Sequence, residues 1–555
     1  MARHLVTSAL PYVNGTKHLG NVAGSLLPAD VHARWLRQEG HEVVFVCGTD
    51  EHGAAPELAA ASAGVPVGRW CAQVHARQRA HYEAFGLSFD HFGRTSSAVH
   101  RRRVLEHYAD LSARGFVGEG TVELPYSPTD GRTLPDRYVR GTCPSCGADA
   151  RGDECPGCGR LLDPVDLGAP YSALSGARDL QWVARPHRYL RLSQLAEPLA
   201  RWVEERGDAW PALSRAVAEA WLRQGLHDRC ISRDLHWGIA VPDLPDAVFY
   251  CWFDAPVGYL SLTEEATGDL EAWWGPDAEV TITQFLGKDN LPFHTVLFPA
   301  ALLGQGRWRL PDKVVGLHWL QHYGQRFSTS AHRGVFVDDA LAVLPADVWR
   351  WVLVARAPER SDADLTWEDV VALHNKDLAG GWGNLVHRVL TLAARDGHEQ
   401  PAGAVATEAD RRLVAEVQAA LRRLGEAYEA PRFRDVAQGC RDLVGLGHRY
   451  LADQAPWALR RTDPARAAQV LGNLFALLRC VAVATGPVVP FAAERLLDAL
   501  SVPPEERRRP ARWHGRLQAA PGRPFEVPPP LFPVIDRAEL PAAPHGPPVT
   551  VGAGS

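Results

Sequence analysis

Apolar and β-branched residues gather near the N-terminus in short runs, each cut off by turn residues. Leu5-Val6-Thr7 reads as a buried strand that stops before Pro11 and Gly15, and a helical pattern begins near Gly20. Val43-Val44-Phe45-Val46-Cys47 is a continuous apolar run suited to a strand covered on both faces, ending in the polar stretch Gly48 to Gly53. Val280 to Leu286 reads as another strand, followed by Gly287-Lys288-Asp289-Asn290. Between them, Ile231-Ser232-Arg233-Asp234 and the aromatic stretch Phe249 to Tyr259 read as a resumption of the same sheet. From Asp362 the period changes. Asp362 to Val389 has helical spacing, as do Leu413, Val417, Leu421, Leu424 and Tyr428, and Asp463-Pro464 offers a cap and a first-turn proline. The pattern predicts an α/β sheet followed by an α-helical bundle.

Polar residues at the strand ends carry the candidate chemistry. In an open α/β sheet ligands bind beyond the carboxyl ends of the strands, and a helix N-terminus there favours phosphate. His18, in His18-Leu19-Gly20-Asn21, either donates to a phosphate oxygen or caps the helix, and Gly20 lets a nucleotide approach the backbone. Asp50 is either a functional residue at the rim of the crevice or a helix N-cap. From about Phe116 the chain becomes turn-rich, and Cys143-x-x-Cys146 and Cys155-x-x-Cys158 can bring four thiolates together. In a reducing compartment that spacing favours one zinc over two disulfides. Four sulfur ligands leave no open position, so the ion is expected to be structural.

Composition narrows the class. A chain of 555 residues needs roughly two to four domains. It has no apolar run of membrane-spanning length and no signal-peptide plan, so a cytoplasmic protein with no membrane partner is expected. A net charge of −6 excludes a uniformly basic nucleic-acid binder and confines RNA contact to local faces such as Arg507-Arg508-Arg509. Only four of the 59 basic residues are lysines (Lys17, Lys288, Lys313 and Lys376), so an arginine in a lysine position reflects compositional drift.

Ala9-Leu10-Pro11-Tyr12-Val13-Asn14-Gly15 followed by His18-Leu19-Gly20-Asn21 resembles the His-Ile-Gly-His signature of class I aminoacyl-tRNA synthetases, in the form carried by methionyl-tRNA synthetases. Matches recur in family order to about Asp536. The resemblance implies a Rossmann-like catalytic domain with an inserted zinc-binding connective domain and a C-terminal α-helical bundle. The boundaries it implies are 1–112 and 229–325 for the two catalytic halves, 113–228 for the insertion, 326–360 for a signature-loop and stem-contact region, 361–535 for the anticodon-binding bundle and 536–555 for a disordered tail. It also implies that methionine is held by Ala9, Leu10, Tyr12, Asp50, Trp252, Ala255, Pro256, Tyr259, Phe293 and His294. ATP, carried with Mg2+, falls to His18, Gly20, Asn21, Gly287, Asp289 and Thr329. Asn384, Arg388, Pro456 and Trp457 read the anticodon, where an indole stacks on an unpaired base. A second pair of cysteine knuckles, present in some relatives, is replaced by Ser127-x-x-Asp130 and Ser172-x-x-Ser175, so a single zinc is expected.

The second family signature, Lys-Met-Ser-Lys-Ser, is here Arg326-Phe327-Ser328-Thr329-Ser330, followed by Ala331-His332-Arg333. Arg326, Ser328 and Ser330 join His18 and Asn21 as expected catalytic residues, but the charge at position 329 is lost. One charge-assisted hydrogen bond is worth about 1.5–3 kcal/mol, or roughly tenfold to 150-fold in rate if it acts only in the transition state. Arg333 is a candidate compensator. The implied activity is ligation of methionine to tRNA(Met) by a monomer. The alternatives are a specialised paralogue using the same adenylation chemistry, as an inhibitor-tolerant duplicate or a donor of methionine to a small-molecule acceptor, and a non-catalytic RNA-binding descendant.

Overall fold

A computed structural model describes residues 2–153, 155, 157–158, 160, 162–329, 332–507 and 520–542. Ser330, Ala331, Arg508 and Arg509, and the tail from residue 543, lie outside the described residues.

Five parallel strands form the central sheet in the order Lys313–Leu317, Val280–Gly287, Arg3–Ser8, Glu42–Thr49, His91–Arg94. The first strand of the chain lies in the middle. Chain order reverses there, and the carboxyl ends of Arg3–Ser8, Glu42–Thr49 and Val280–Gly287 open onto one crevice, the usual ligand position in such a sheet. Leu5, Val6, Phe45, Val46, Ile282 and Phe285 are fully buried, as strands covered on both faces require.

Two sequence expectations are corrected. Ser232–Arg233 and Leu244–Phe249 belong to a separate antiparallel sheet with Ala240–Val241 and add nothing to the parallel one. The aromatic stretch is helical beyond Phe249: Cys251–Asp254, a 3-10 turn Ala255–Val257, and Gly258–Thr267. A short apolar run fits a strand and a buried helix equally well, and here the helix wins by packing Gly258–Thr267 against the strands Glu42–Thr49 and His91–Arg94 and the helix Ala98–Ala113.

The insertion hangs on a long antiparallel pair, Val117–Ser127 against Gln181–Leu190. Its cysteines lie around a three-stranded sheet, Val139–Thr142, Asp149–Arg151 and Gly168–Ser172. Glu57 docks the insertion onto the catalytic domain by accepting from the Tyr138 hydroxyl and from the backbone N–H groups of His236 (3.0 Å) and Trp237 (2.6 Å).

Beyond the sheet, Ala363–Leu365 is a strand rather than helix, pairing with Leu320–His322. The helical bundle begins at Trp367, capped by Thr366, and includes Glu408–Glu429, Phe433–Gln454, Pro464–Thr485 and Pro490–Ala499. Asp463 caps the Pro464 helix through Arg466 N (3.0 Å). That helix is long and apolar enough to cross a membrane, which the sequence reading missed, but 78% of its apolar window is buried, the profile of a bundle core. Within the stretch expected to be a tail, Arg537–Glu539 forms a 3-10 turn, and Arg537 pairs with Glu368 at 2.8 Å. Arg507, the described member of the basic run, is paired with Glu494 and Asp498.

Arg350 joins the elements around the parallel sheet to the bundle. It is fully buried, its guanidinium bonds Asp30 at 2.6 Å, and it donates to the carbonyls of Gly86, Pro487 and Val488. Among the described residues, three helices contain a π-helical segment: Val22–Leu26, Phe293–Leu297 and His374–Gly383.

Candidate functional site

The crevice is built around a helix start. His18 is the N-cap of Leu19–Asn21, and its Nδ1 accepts the Asn21 backbone N–H (3.3 Å) while Asn21 Oδ1 accepts the His18 N–H (3.2 Å). Burial, reinforced by the neighbouring Lys17, pushes the imidazole down to about 3, so it is neutral. A neutral ring that accepts at Nδ1 carries its proton at Nε2. The two readings of His18 are therefore compatible, because capping uses one nitrogen and leaves the other as a donor.

The segment after the second signature fixes this loop. Leu19 N donates to Val335 O and Val337 N to Lys17 O, both at 2.9 Å. Phe327 stacks on His18 with ring centroids 5.0 Å apart, and Thr329 Cγ2 lies 3.4 Å from where a Cβ on Gly15 would project. Ser328 and Arg333 pair through both backbone hydrogen bonds (3.0 and 2.9 Å). The Arg333 side chain donates to Arg326 O at 2.6 Å, which turns it back onto the loop. At the next strand end, Asp289 Oδ2 accepts from Trp319 Nε1 (2.7 Å), and Arg326 lies over the Trp319 ring with its Nη2 3.9 Å from Asp289 Oδ1. Lys288 pairs with Asp362 at 2.7 Å. Gly287 has open space at its Cβ position.

Asp50 is not an N-cap; Gly53 holds that place before Ala54–Ser62. Asp50 bridges to Tyr12 across the strand ends, is 8% exposed, and its Oδ1 has no hydrogen-bond partner among the described residues. Burial, with Asp254 adding to it, raises its carboxyl well above the usual range. Tyr12 Oη donates to His52 O (2.7 Å) and packs so tightly on Gly53 that a Cβ there would come within 2.6 Å of it. Gly53 also has a φ of +103°, which glycine alone adopts readily.

Beside Asp50 lies an aromatic wall. Trp252 and Phe293 rings are 4.1 Å apart, and Tyr259 Oη is 2.7 Å from His294 Nε2. His294 Nδ1 donates to Asn290 O (2.9 Å), and burial lowers the ring to about 4, so Nε2 is an acceptor for the tyrosine. Ala9, Ala255 and Pro256 are buried around it, and Leu10 lies against Gly258. Beneath Asp50, His52 Nδ1 pairs with Asp254 Oδ2 at 2.7 Å.

In the insertion, Cys143 Sγ is 3.9 Å from Cys158 Sγ and Cys146 Sγ 3.5 Å from Cys155 Sγ, and all four lie within 4.8 Å of one another. None is disulfide-bonded. A tetrahedron with Zn–S distances of about 2.3 Å has sulfur–sulfur edges near 3.8 Å, so the set fits zinc. At the other knuckle, Ser127 Oγ accepts from Asp130 N (3.1 Å) and Ser172 Oγ from Leu174 N (3.1 Å). Burial of the Asp130 carboxyl is outweighed by hydrogen bonds from Ser172, Ser127 and Ser175, which hold it below its ordinary range. These residues form a hydrogen-bonded cluster.

In the bundle, Asn384 and Arg388 are exposed one turn apart on Asn384–Ala393. The Arg388 guanidinium is 5.8 Å from the Trp457 ring, which is 42% exposed, while Pro456 is buried in the first turn of Pro456–Thr462.

The family model described as tRNA synthetases class I (M) matches residues 4–390, and the one described as the anticodon binding domain of methionyl tRNA ligase matches residues 400–542. The chain belongs to the methionyl class I tRNA synthetases. It is 45% identical to the methionine–tRNA ligase of Streptomyces avermitilis, over 97% of this chain and 98% of that one. It is 43% identical to methionine–tRNA ligase 1 of Acaryochloris marina, over 96% and 97%. The methionyl-tRNA synthetase of Mycobacterium tuberculosis, solved in complex with methionyl-adenylate, superposes with a TM-score of 0.79 at 28% identity, covering 96% of this chain and all of that one.

For a methionyl class I synthetase, sequence reasoning missed Trp319, Phe327 and the His52–Asp254 pair. Trp319 had a usable signal, since it follows the end of a parallel strand at the crevice rim. The other contacts join residues some 200 to 300 positions apart and leave no local trace.

Proposed function

We infer that the protein is a methionine–tRNA ligase. A carboxylate oxygen of methionine attacks the α-phosphorus of ATP as the bond to the α,β-bridging oxygen breaks, and pyrophosphate leaves with the electron pair. The adenylate then passes its acyl group to the terminal ribose of tRNA(Met), releasing AMP. No side chain need act as nucleophile, so catalysis rests on positioning and charge stabilisation.

The observation that carries this reading is Asp50: a buried carboxyl with an unpartnered oxygen beside an apolar aromatic wall suits an ammonium group attached to an apolar side chain. Trp252, Phe293, Tyr259 and His294 receive the thioether chain. A pocket of this kind discriminates by shape, and one methylene is worth only about 1–3 kcal/mol. His18 Nε2–H donates to a phosphate oxygen, Asp289 accepts from the ribose, and the Arg326 loop covers the pyrophosphate. Mg2+ arrives with the nucleotide. Zinc, held by Cys143, Cys146, Cys155 and Cys158, organises the insertion. Trp457, Arg388 and Asn384 form the anticodon contact, which supports tRNA as the acceptor over a small molecule.

Methionine-dependent exchange of labelled pyrophosphate into ATP by the purified chain, followed by charging of tRNA(Met), tests this. Exchange and charging are expected; exchange without charging would favour the small-molecule acceptor, and no exchange the RNA-binding descendant.

A further inference from the structure

Lys17 has a side chain buried beside the first signature. It is one of four lysines in the chain, yet it lies in the turn that carries the first signature and is only 5% exposed. Its ammonium donates to Asn14 Oδ1 at 2.6 Å, its single hydrogen bond among the described residues, and no described carboxylate lies within 4 Å of it. Buried charges in proteins are ordinarily paired, because an unpaired one loses its hydration without return. Burial and the nearby Arg137 lower this amine to about 7 against the pull of Asp50, so the fold by itself disfavours the cation.

The surroundings identify the missing partner. Lys17 precedes His18, whose proton affinity it lowers, and it interacts with Asp50 across the crevice. A ligand reaching from His18 to Asp50 presents a phosphate to the first and an ammonium to the second. Between these groups lie the amino-acid carboxylate and the α-phosphate, both anionic.

Thr329 supplies the other half of the argument. It stands where the family signature has a lysine, and its methyl group lies against Gly15, two residues before Lys17. The turn with the buried ammonium and the loop without one are in contact. We propose that Lys17 is a further catalytic residue, a cation at the junction of methionine carboxylate and α-phosphate that takes over the charge absent at Thr329. As the carboxylate oxygen bonds to phosphorus and the bond to the bridging oxygen breaks, negative charge accumulates on the non-bridging oxygens of the α-phosphate. Lys17 moves no proton; it donates hydrogen bonds to that charge.

This proposal rests on the ligase reading, and the test separates the two. Pyrophosphate exchange is measured on the full-length wild type, K17Q, K17R, T329K and K17Q/T329K, with methionine affinity by calorimetry and melting temperature for each. Glutamine keeps the bond to Asn14 and removes the charge. K17Q is expected to lose about 100-fold in kcat for exchange, with methionine KM and Kd within about threefold. K17R should retain most of the activity, and T329K should restore about tenfold or more to K17Q. Exchange by K17Q within about threefold of wild type would overturn the proposal. So would equal losses in K17Q and K17R accompanied by lower melting temperatures, since bracing of the turn would then explain both. A wild type without exchange would instead remove the ligase reading, and the proposal with it.

Discussion

The Phe327 ring lies over the His18 imidazole at 5.0 Å with an interplanar angle of 27°, so the second signature loop rests directly on the first. A Cβ on Gly334 would fall within 2.1 Å of the same ring, and one on Gly20 within 3.1 Å. The stack thus sets how closely the two signatures approach. Removing it in F327A should loosen the loop without removing any donor to the nucleotide. An aromatic pair is worth about 0.5–1.5 kcal/mol, so the KM for ATP in pyrophosphate exchange should rise about twofold to tenfold. An unchanged KM would show that the loop is held elsewhere.

Asp50 should govern methionine affinity. Replacing the carboxylate in D50N leaves the ligand ammonium without a charged acceptor, which is worth about 3 kcal/mol or more, or about 100-fold in Kd by calorimetry. Because burial and Asp254 raise the Asp50 carboxyl, acid favours its neutral form. Methionine affinity should therefore fall as pH is lowered through the raised carboxyl range, and binding in that range should release a proton. The proton release will appear as a dependence of binding enthalpy on buffer and should vanish in D50N.

The Cys143–Cys158 cluster should hold one zinc per chain by elemental analysis, and C155S should hold none. Binding worth about 10 kcal/mol or more ties residues 139–172 together, so loss of metal should open that stretch to protease while the parallel sheet stays intact. Two zinc ions per chain would contradict the hydrogen-bonded Ser127, Asp130, Ser172 and Ser175 cluster.

The buried Arg350–Asp30 pair gives a pH signature. Asp30 is fully buried; this raises its carboxyl, but Arg34, Arg350 and Ser88 outweigh burial and hold it at about 2. A depressed folded value means the stabilisation is present above the unfolded value near 4 and is lost as pH falls from about 4 toward 2. It amounts to about 2 kcal/mol. Urea denaturation of D30N should lack this part of the acid loss. R350M breaks the buried pair, leaves the carboxylate with only Arg34 and Ser88, and strips the Pro487 and Val488 carbonyls of this donor; it should cost about 3–5 kcal/mol at neutral pH.

In W457A, charging of tRNA(Met) should fall while pyrophosphate exchange stays within about twofold of wild type. Base stacking is worth about 1–3 kcal/mol, so the loss in kcat/KM for tRNA should be about fivefold to 150-fold. Unchanged charging would sink the anticodon assignment.

Much of this was legible because local chemistry and fold agree. The apolar runs at Leu5, Val43 and Val280 are rich in β-branched residues and end in turn or polar residues, and each is a strand of the covered sheet; paired cysteines so close together have few other uses. Asp463-Pro464 announced its helix in two residues. Legibility failed where identity depends on distant partners. Cys251 to Tyr259 is helical because of what it packs against, and its aromatic content misled. Lys17 looks like any surface lysine until the fold buries it. Trp319 is an aromatic after a strand until Asp289 and Arg326 are seen around it.

Each of the three π-helical segments adjoins a residue of the candidate site. One directly follows His18–Asn21, one begins with Phe293 and His294, and one ends immediately before Asn384. A π turn holds an extra residue, so the helix beyond it is out of phase with the helix before it by about 100°. Deleting one residue from such a segment would improve the helix and spoil the molecule: the bonding would relax to the ordinary α pattern while one flank rotated off its target. The insertions therefore act as phase settings, fixing the angle at which each helix presents its site side chains. Length variation should be barred at these points even where helix stability would welcome it.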